Sequence, residues 1–314
     1  MSTENRLDLK VGYNCNNYCR HCVIGDKRFF IPDRTTRQIK DILDEERENY
    51  GEVVLTGGEF TIRKDCFEIL EYAADKGYKI LIQTNGRRFA YPSFCDEFLA
   101  AGKGKIMTVT AALLSANPDC HNFLTGSNSY RQTVKGLTNL KERKQTVSIN
   151  TVVTKVNYRT FPDLARLLIR IGVDVYQYAF VHVLGSAEKN IRSILPKKSL
   201  AVPFIKIGVD LGRAAGIPVF VEAVPFCLMQ GYETHCAENY IPLVKLSDVT
   251  NTVQDFDFVR KNYEKEKAVS CKKCIYFNVC EGPWLQYPRT YGWKEFVPVT
   301  SLKERDRVAQ ALRQ

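Results

Sequence analysis

The chain has 314 residues, 45% hydrophobic and 25% charged, which excludes disorder as the main state and leaves room for one large domain or two ordinary ones. The longest uncharged apolar stretch, Ile106 to Leu114, falls far short of the ~18 residues of a membrane span, and the N-terminus lacks the apolar core of a secretory signal, so a cytoplasmic location is expected. Lys and Arg number 45 against 35 Asp and Glu, and the resulting charge of +10 is dispersed, a solvated basic surface that favours anionic partners.

In chain order, short runs rich in Val, Ile, Leu and Thr predict strands over Leu7–Tyr13, Glu52–Leu55, Lys79–Gln83, Ile106–Ala111, Val147–Val153 and Val175–Val181. Helical periods lie between them. Ile39, Ile42, Leu43 and Tyr50 share a face, as do Cys66, Ile69, Leu70 and Ala73. Leu164, Leu167, Leu168 and Ile171 repeat the pattern, and Gly172 supplies a stop; a further helix is expected from about Ser199 to Ala215. Successive βα units imply a parallel sheet, either doubly wound or a barrel, with ligands gathering at the strand ends. After Val221 the alternation stops, and Pro225, Pro242, Pro283, Pro288 and Pro298 punctuate the chain before a basic tail at 303–314. The expected division is therefore 1–220 and 221–314, the second unit held by metal rather than by a large apolar core.

Eleven cysteines in a chain expected to sit in a reducing compartment point to metal ligation or redox chemistry. Cys15, Cys19 and Cys22 follow the first strand as C-x3-C-x2-C. Three thiolates in one strand-end loop suit a [4Fe–4S] cluster with one iron left open; the competing reading is a zinc loop completed by His21. Thr56-Gly57-Gly58-Glu59-Phe60 ends the second strand, with glycines that let backbone approach a ligand and a carboxylate suited to an ammonium group.

Together these motifs resemble the radical S-adenosylmethionine (SAM) superfamily, with His21 at its usually aromatic position. The likeness continues through Gln83-Thr84-Asn85-Gly86, through Ser115, Pro118, His121, Thr125-Gly126, Gly136 and Leu140, and through Ile149–Val153 and Gly185-Ser186-Ala187, covering about residues 7–190. It implies an α/β fold, a partial (β/α)6 TIM-type barrel with a small C-terminal cysteine-rich domain. It implies SAM held near His21, Gly57, Gly58, Glu59, Thr84, Asn85 and Ser115, with Glu59 on the amino group. Ala112 and Leu114 are apolar where relatives carry Ser and His, and Ser148 and Asn150 are the substitutes expected.

Cys271, Cys274 and Cys280 form C-x2-C-x5-C, which alone would suit a zinc ribbon. After such a core the spacing resembles the SPASM or Twitch domains and implies one auxiliary [4Fe–4S] cluster. Trp284 stands where the full SPASM pattern has its next Cys, so a second auxiliary cluster is not expected. Cys227 is the preferred fourth ligand and Cys236 the runner-up. Cys66, Cys95 and Cys120 are expected to be inert. Tyr176, Tyr178 and Cys236 are candidate radical-quenching donors, with core packing the competing role for the tyrosines. His121 and His182 lie near strand-end loops, where a structural role is the simpler reading. Trp284, Tyr287, Tyr291 and Trp293 should pack around the auxiliary site.

The resemblance implies reductive cleavage of SAM to a 5′-deoxyadenosyl radical, hydrogen abstraction from a substrate C–H bond and an oxidative outcome. An external electron donor such as flavodoxin or ferredoxin is then required. Peptide maturation is slightly favoured over a small polar anionic sugar or nucleotide. No membrane partner is expected, nor a nucleic acid. The reading from another class is a non-catalytic zinc or iron–sulfur protein that binds nucleic acid.

Overall fold

The structure is a computed structural model that describes residues 5–301; the basic tail lies outside the described residues. Seven parallel strands lie side by side in chain order: β1 (Arg6–Lys10), β2 (Glu52–Thr56), β3 (Lys79–Thr84), β4 (Ile106–Ala112), β5 (Val147–Val153), β6 (Val175–Phe180) and β7 (Val219–Glu222). Two more join beyond β1: β8 (Val244–Ser247), parallel to it, and the short antiparallel β9 (Thr252–Val253). The strand order runs from β7 to β9 without closing, as a partial barrel requires. The six expected strands match β1–β6 to within a few residues. The chain after Val221 returns to the same sheet, because Val244 to Ser247 pair with Arg6 to Leu9 and Lys10 donates to Asp248 at 2.6 Å.

Helices cover the outer face, and their sequences explain where they start and stop. Thr35 and Gln38 form a reciprocal cap on Thr36–Glu46, which buries Ile39 and Leu43. Phe161–Ile171 ends at Gly172 in the left-handed conformation (φ 78°), where the sequence predicted a stop. The largest outer helix, Lys198–Ala214, buries Val202, Ile205 and Val209.

Alternation along the strands separates two faces. Leu7, Leu9, Val53, Leu55, Ile80, Ile82, Val109, Ala111, Ile149, Tyr176 and Tyr178 enter the core under the helices. The inward row at the strand ends is Thr56, Gln83, Thr110 and Ser148, with Asn150 paired to Gln177 one layer on. That inward row builds the site.

Candidate functional site

The loop after β1 is fixed by its own polar groups. Asp33 Oδ1 accepts from the amides of Tyr13 (2.6 Å) and Asn14 (3.2 Å). The loop after β2 is laced to it: the amide of Gly58 donates to Gly12 O at 2.9 Å, and that of Glu59 to Asn14 O at 2.8 Å. Gly57 has φ 135°, a conformation that favours glycine. Arg87 Nη1 reaches across from beyond β3 to Asn16 O (2.5 Å) and Asn17 Oδ1 (2.9 Å).

These contacts bring Cys15, Cys19, Cys22, His21, Gly57, Gly58, Thr84, Asn85 and Asn150 around one cavity of about 1010 Å³ at the C-terminal ends of the parallel strands. The three thiols converge. Burial raises Cys19 first, and the neighbouring sulfurs of Cys22 and Cys15 add to it. Two polar atoms at the cavity wall, His21 Nδ1 and Asn150 Oδ1, are buried without a partner in the chain. Burial lowers His21 to about 4, so its ring is neutral. Three cysteines around one roomy cavity, with two unpartnered buried polar atoms on residues of its wall, fit a cluster that shares its pocket with a polar ligand.

Several expected residues stand elsewhere. Glu59 is 2% exposed and does not line the cavity. Its Oε1 accepts from the Thr61 amide (3.1 Å), Thr61 Oγ1 (2.6 Å) and Thr84 Oγ1 (2.7 Å), and Oε2 from the Asn85 amide (2.6 Å). Burial raises it and these bonds lower it, and the carboxylate clamps two strand-end loops together. Ser115 is fully buried; its hydroxyl accepts from the Asn117 amide at 3.0 Å and meets Thr160 Oγ1 at 3.0 Å. Ser148 shares the inward face of β5 but does not line the cavity.

Tyr176 and Tyr178 share a face, as expected, but it is the helix-covered one. Tyr176 donates to Gly208 O at 2.6 Å, and Tyr178 stacks on Phe161 at 4.5 Å. A β-carbon on Gly208 or Gly212 would lie 2.3 Å or 2.4 Å from a tyrosine oxygen, so both rings are packed into that helix. That placement gives both tyrosines the packing role that competed with radical quenching. His121 is structural, with Nδ1 accepting from the Leu114 amide (3.3 Å) and Nε2 near Ser129 Oγ (3.1 Å). His182 lies flat on Trp284, 4.0 Å away. Cys66 and Cys95 are in the core, and Cys120 is half-buried.

A second, smaller cavity of about 390 Å³ is lined by Cys227, Cys271, Cys274 and Cys280, with Pro225, Phe277 and Phe296. Burial, then the thiols of Cys280, Cys274 and Cys271, push Cys227 up to about 12. Cys236 is fully buried, bridged through its backbone to Val221, and is outside the lining of both cavities. Tyr287 packs on Tyr291 and Phe296, and Trp293 on Phe296, which lines this cavity, whereas the fourth aromatic expected there, Trp284, packs on His182.

Sequence reasoning missed Gly12, Asp33, Arg28 and Arg87. Arg28 lines the larger cavity, donating to Asn17 O at 2.5 Å and standing 3.5 Å from Cys22 Sγ. A signal existed for Arg28 alone, in the basic pair Lys27-Arg28 shortly past the last cysteine of the triplet.

The Radical SAM superfamily profile matches residues 9–168, which include the triplet, both glycines and Asn150. The mycofactocin maturase MftC of Mycolicibacterium smegmatis is 25% identical over 306 residues, 88% of this chain and 76% of that one. An AdoMet-dependent heme synthase of Methanosarcina barkeri is 28% identical over 181 residues, 56% of this chain and 50% of that one. Among solved structures, Streptococcus suis SuiB bound to S-adenosylmethionine superposes with a TM-score of 0.66 at 18% identity, covering 91% of this chain and 74% of that one. Native anSMEcpe with bound AdoMet gives 0.64 at 15% identity, covering 98% and 95%. The profile match, on the residues that build the larger cavity, shows that this chain belongs to the radical SAM superfamily.

Proposed function

We propose that the chain is a radical SAM peptide maturase, in which Cys15, Cys19 and Cys22 hold a [4Fe–4S] cluster and SAM shares the adjoining cavity. When bound, the cluster and SAM supply a 5′-deoxyadenosyl radical able to take hydrogen from an unactivated C–H bond. The protein's own part is placement. Gly57 and Gly58 let the loop after β2 close onto the backbone of the cysteine loop at Gly12 and Asn14, beside the cavity both loops line, while Asn150 Oδ1 offers an acceptor and His21 Nδ1 a further polar atom to the ligand. Val152, Ala112 and Leu114 form the apolar wall that excludes water. The observation that carries this reading is the convergence of three thiols and two glycines on one cavity at the strand ends.

The part of the chain from about residue 221 is read as the auxiliary unit, with a second [4Fe–4S] cluster on Cys227, Cys271, Cys274 and Cys280. Four thiols around one small cavity support a closed set, and a lining that includes Cys227 but not Cys236 favours Cys227. An acidic one-electron carrier of the flavodoxin or ferredoxin kind is the expected reductant, and the cytoplasm the expected location. No helix among the described residues is long and apolar enough to cross a membrane.

A peptide substrate is supported by relatives. Besides the mycofactocin maturase, the subtilosin biosynthesis protein AlbA of Bacillus subtilis is 28% identical over 180 residues, and SuiB has been solved with its precursor peptide SuiA. The similarity to AdoMet-dependent heme synthases keeps a tetrapyrrole as the second reading. Anaerobic reconstitution followed by SAM cleavage under dithionite tests both. Deuterium transfer from a labelled peptide into 5′-deoxyadenosine supports the first, and transfer from a labelled porphyrin precursor the second. No cleavage at all by iron-loaded protein refutes both.

A further inference from the structure

A run of buried charges joins the end of β7 to the smaller cavity. Glu281, the residue after Cys280, accepts from Arg260 Nε and Nη2 (3.0 and 2.8 Å) and from Lys265 Nζ (2.6 Å). Lys265 also donates to Glu238 Oε1 at 2.9 Å, and the same oxygen accepts from the Ala223 amide at 2.8 Å. The side chains of Lys265, Glu281 and Glu238 are 0%, 4% and 6% exposed. The residues that follow Lys265 and Glu281, namely Glu266 and Gly282, line the cavity. Glu281 thus stands between two residues of the cavity wall, Cys280 and Gly282, and Lys265 is hydrogen-bonded to it one residue before a third, Glu266.

Buried ion pairs are a poor way to hold two loops together. Desolvation offsets most of their attraction, and an apolar contact of similar volume serves as well or better. What such charges do well is act through a low dielectric on a redox group nearby. Charge and hydrogen bonding around the sulfurs are the main levers a protein has on iron–sulfur potentials.

We propose that Lys265 and Glu281 are positioning residues that set the reduction potential of a [4Fe–4S] cluster bound by Cys227, Cys271, Cys274 and Cys280. This rests on the auxiliary-cluster reading above. One-electron reduction adds a negative charge to the cluster; the Lys265 ammonium favours that change and the Glu281 carboxylate opposes it. The two residues therefore pull the potential in opposite directions.

The test uses the full chain carrying Cys15→Ala, Cys19→Ala and Cys22→Ala, so that any iron belongs to the smaller cavity. Iron per chain and a redox titration followed by electron paramagnetic resonance are measured with and without Lys265→Met or Glu281→Gln. Expected are retained iron, a midpoint shifted to more negative potential in K265M, and one shifted to more positive potential in E281Q. The nearly isosteric E281Q decides the matter if K265M fails to fold. An E281Q protein that keeps its iron at the unaltered midpoint, or loses the cluster outright, makes the pair a structural pin and overturns the proposal. A background protein without iron refutes the auxiliary-cluster reading itself, and the missing metal tells that failure apart.

Discussion

A β-carbon on Gly58 would lie 2.1 Å from the carbonyl oxygen of Asn14, so the loop after β2 and the cysteine loop meet backbone to backbone with no room for a side chain. Gly58→Ala should force the two loops apart at the edge of the larger cavity. The expected result is SAM affinity weakened at least ~10-fold, a loss of about 1.4 kcal/mol, with the fold retained by circular dichroism. Isothermal titration of reconstituted protein with SAM checks it.

The two cysteine sets should separate by iron count. Cys19→Ala is expected to abolish dithionite-driven SAM cleavage and remove about four irons, leaving the smaller cavity's iron in place. Cys274→Ala or Cys227→Ser should remove the other four and spare the first set. Cys236→Ser should keep both, since Cys236 lies outside the lining of either cavity. Wild-type iron content in C227S would reject Cys227 as a ligand.

Tyr176→Phe and Tyr178→Phe should each leave 5′-deoxyadenosine formation within about twofold of wild type, since both phenols face the Lys198–Ala214 helix. Losing the Tyr176 bond to Gly208 should cost about 1 kcal/mol in urea unfolding of the metal-free protein. A collapse of turnover with unchanged stability would return these residues to the radical chemistry.

Asp8 faces the barrel interior on β1 with Oδ1 unpartnered, and burial raises it to about 6 against the pull of Arg6 and Lys10. Between its ordinary value of 3.8 and that raised value, the folded state holds more protons than the unfolded chain. Stability contributed by this site therefore falls as pH rises through that window. Asp8→Asn should stabilise the metal-free protein at pH 7.5 by up to about 3 kcal/mol, with the gain vanishing near pH 4. Equal gains at both pH values would show that the carboxylate's charge is not the cause.

The sequence disclosed most clearly what local periodicity and spacing encode. Strands β1–β6, the stop at Gly172 and the cysteine triplet were legible because each is written within a dozen residues. The directions of polar side chains were not. Glu59 carries the right chemistry for an ammonium ligand, but that its oxygens also accept from the amides and hydroxyls of Thr61, Thr84 and Asn85 emerges only in three dimensions. Tyr176 and Tyr178 alternate correctly, but the pattern does not say which face lies under helices; Gly208 and Gly212, some 30 residues on, decide it. β8 escaped notice because Val244–Ser247 is too short to show a period and its partner lies at the far end of the sequence.

That last pairing bears on how the molecule is made. During synthesis, β1 emerges early with β2 to cover one of its edges, while the other edge waits for residues 244–247. Contacts of such long sequence separation form slowly, and an uncovered strand edge invites pairing with another nascent chain. Yields from overexpression should therefore respond to growth temperature and chaperone supply, the conditions that govern how long this seam between an early strand and a late one stays open.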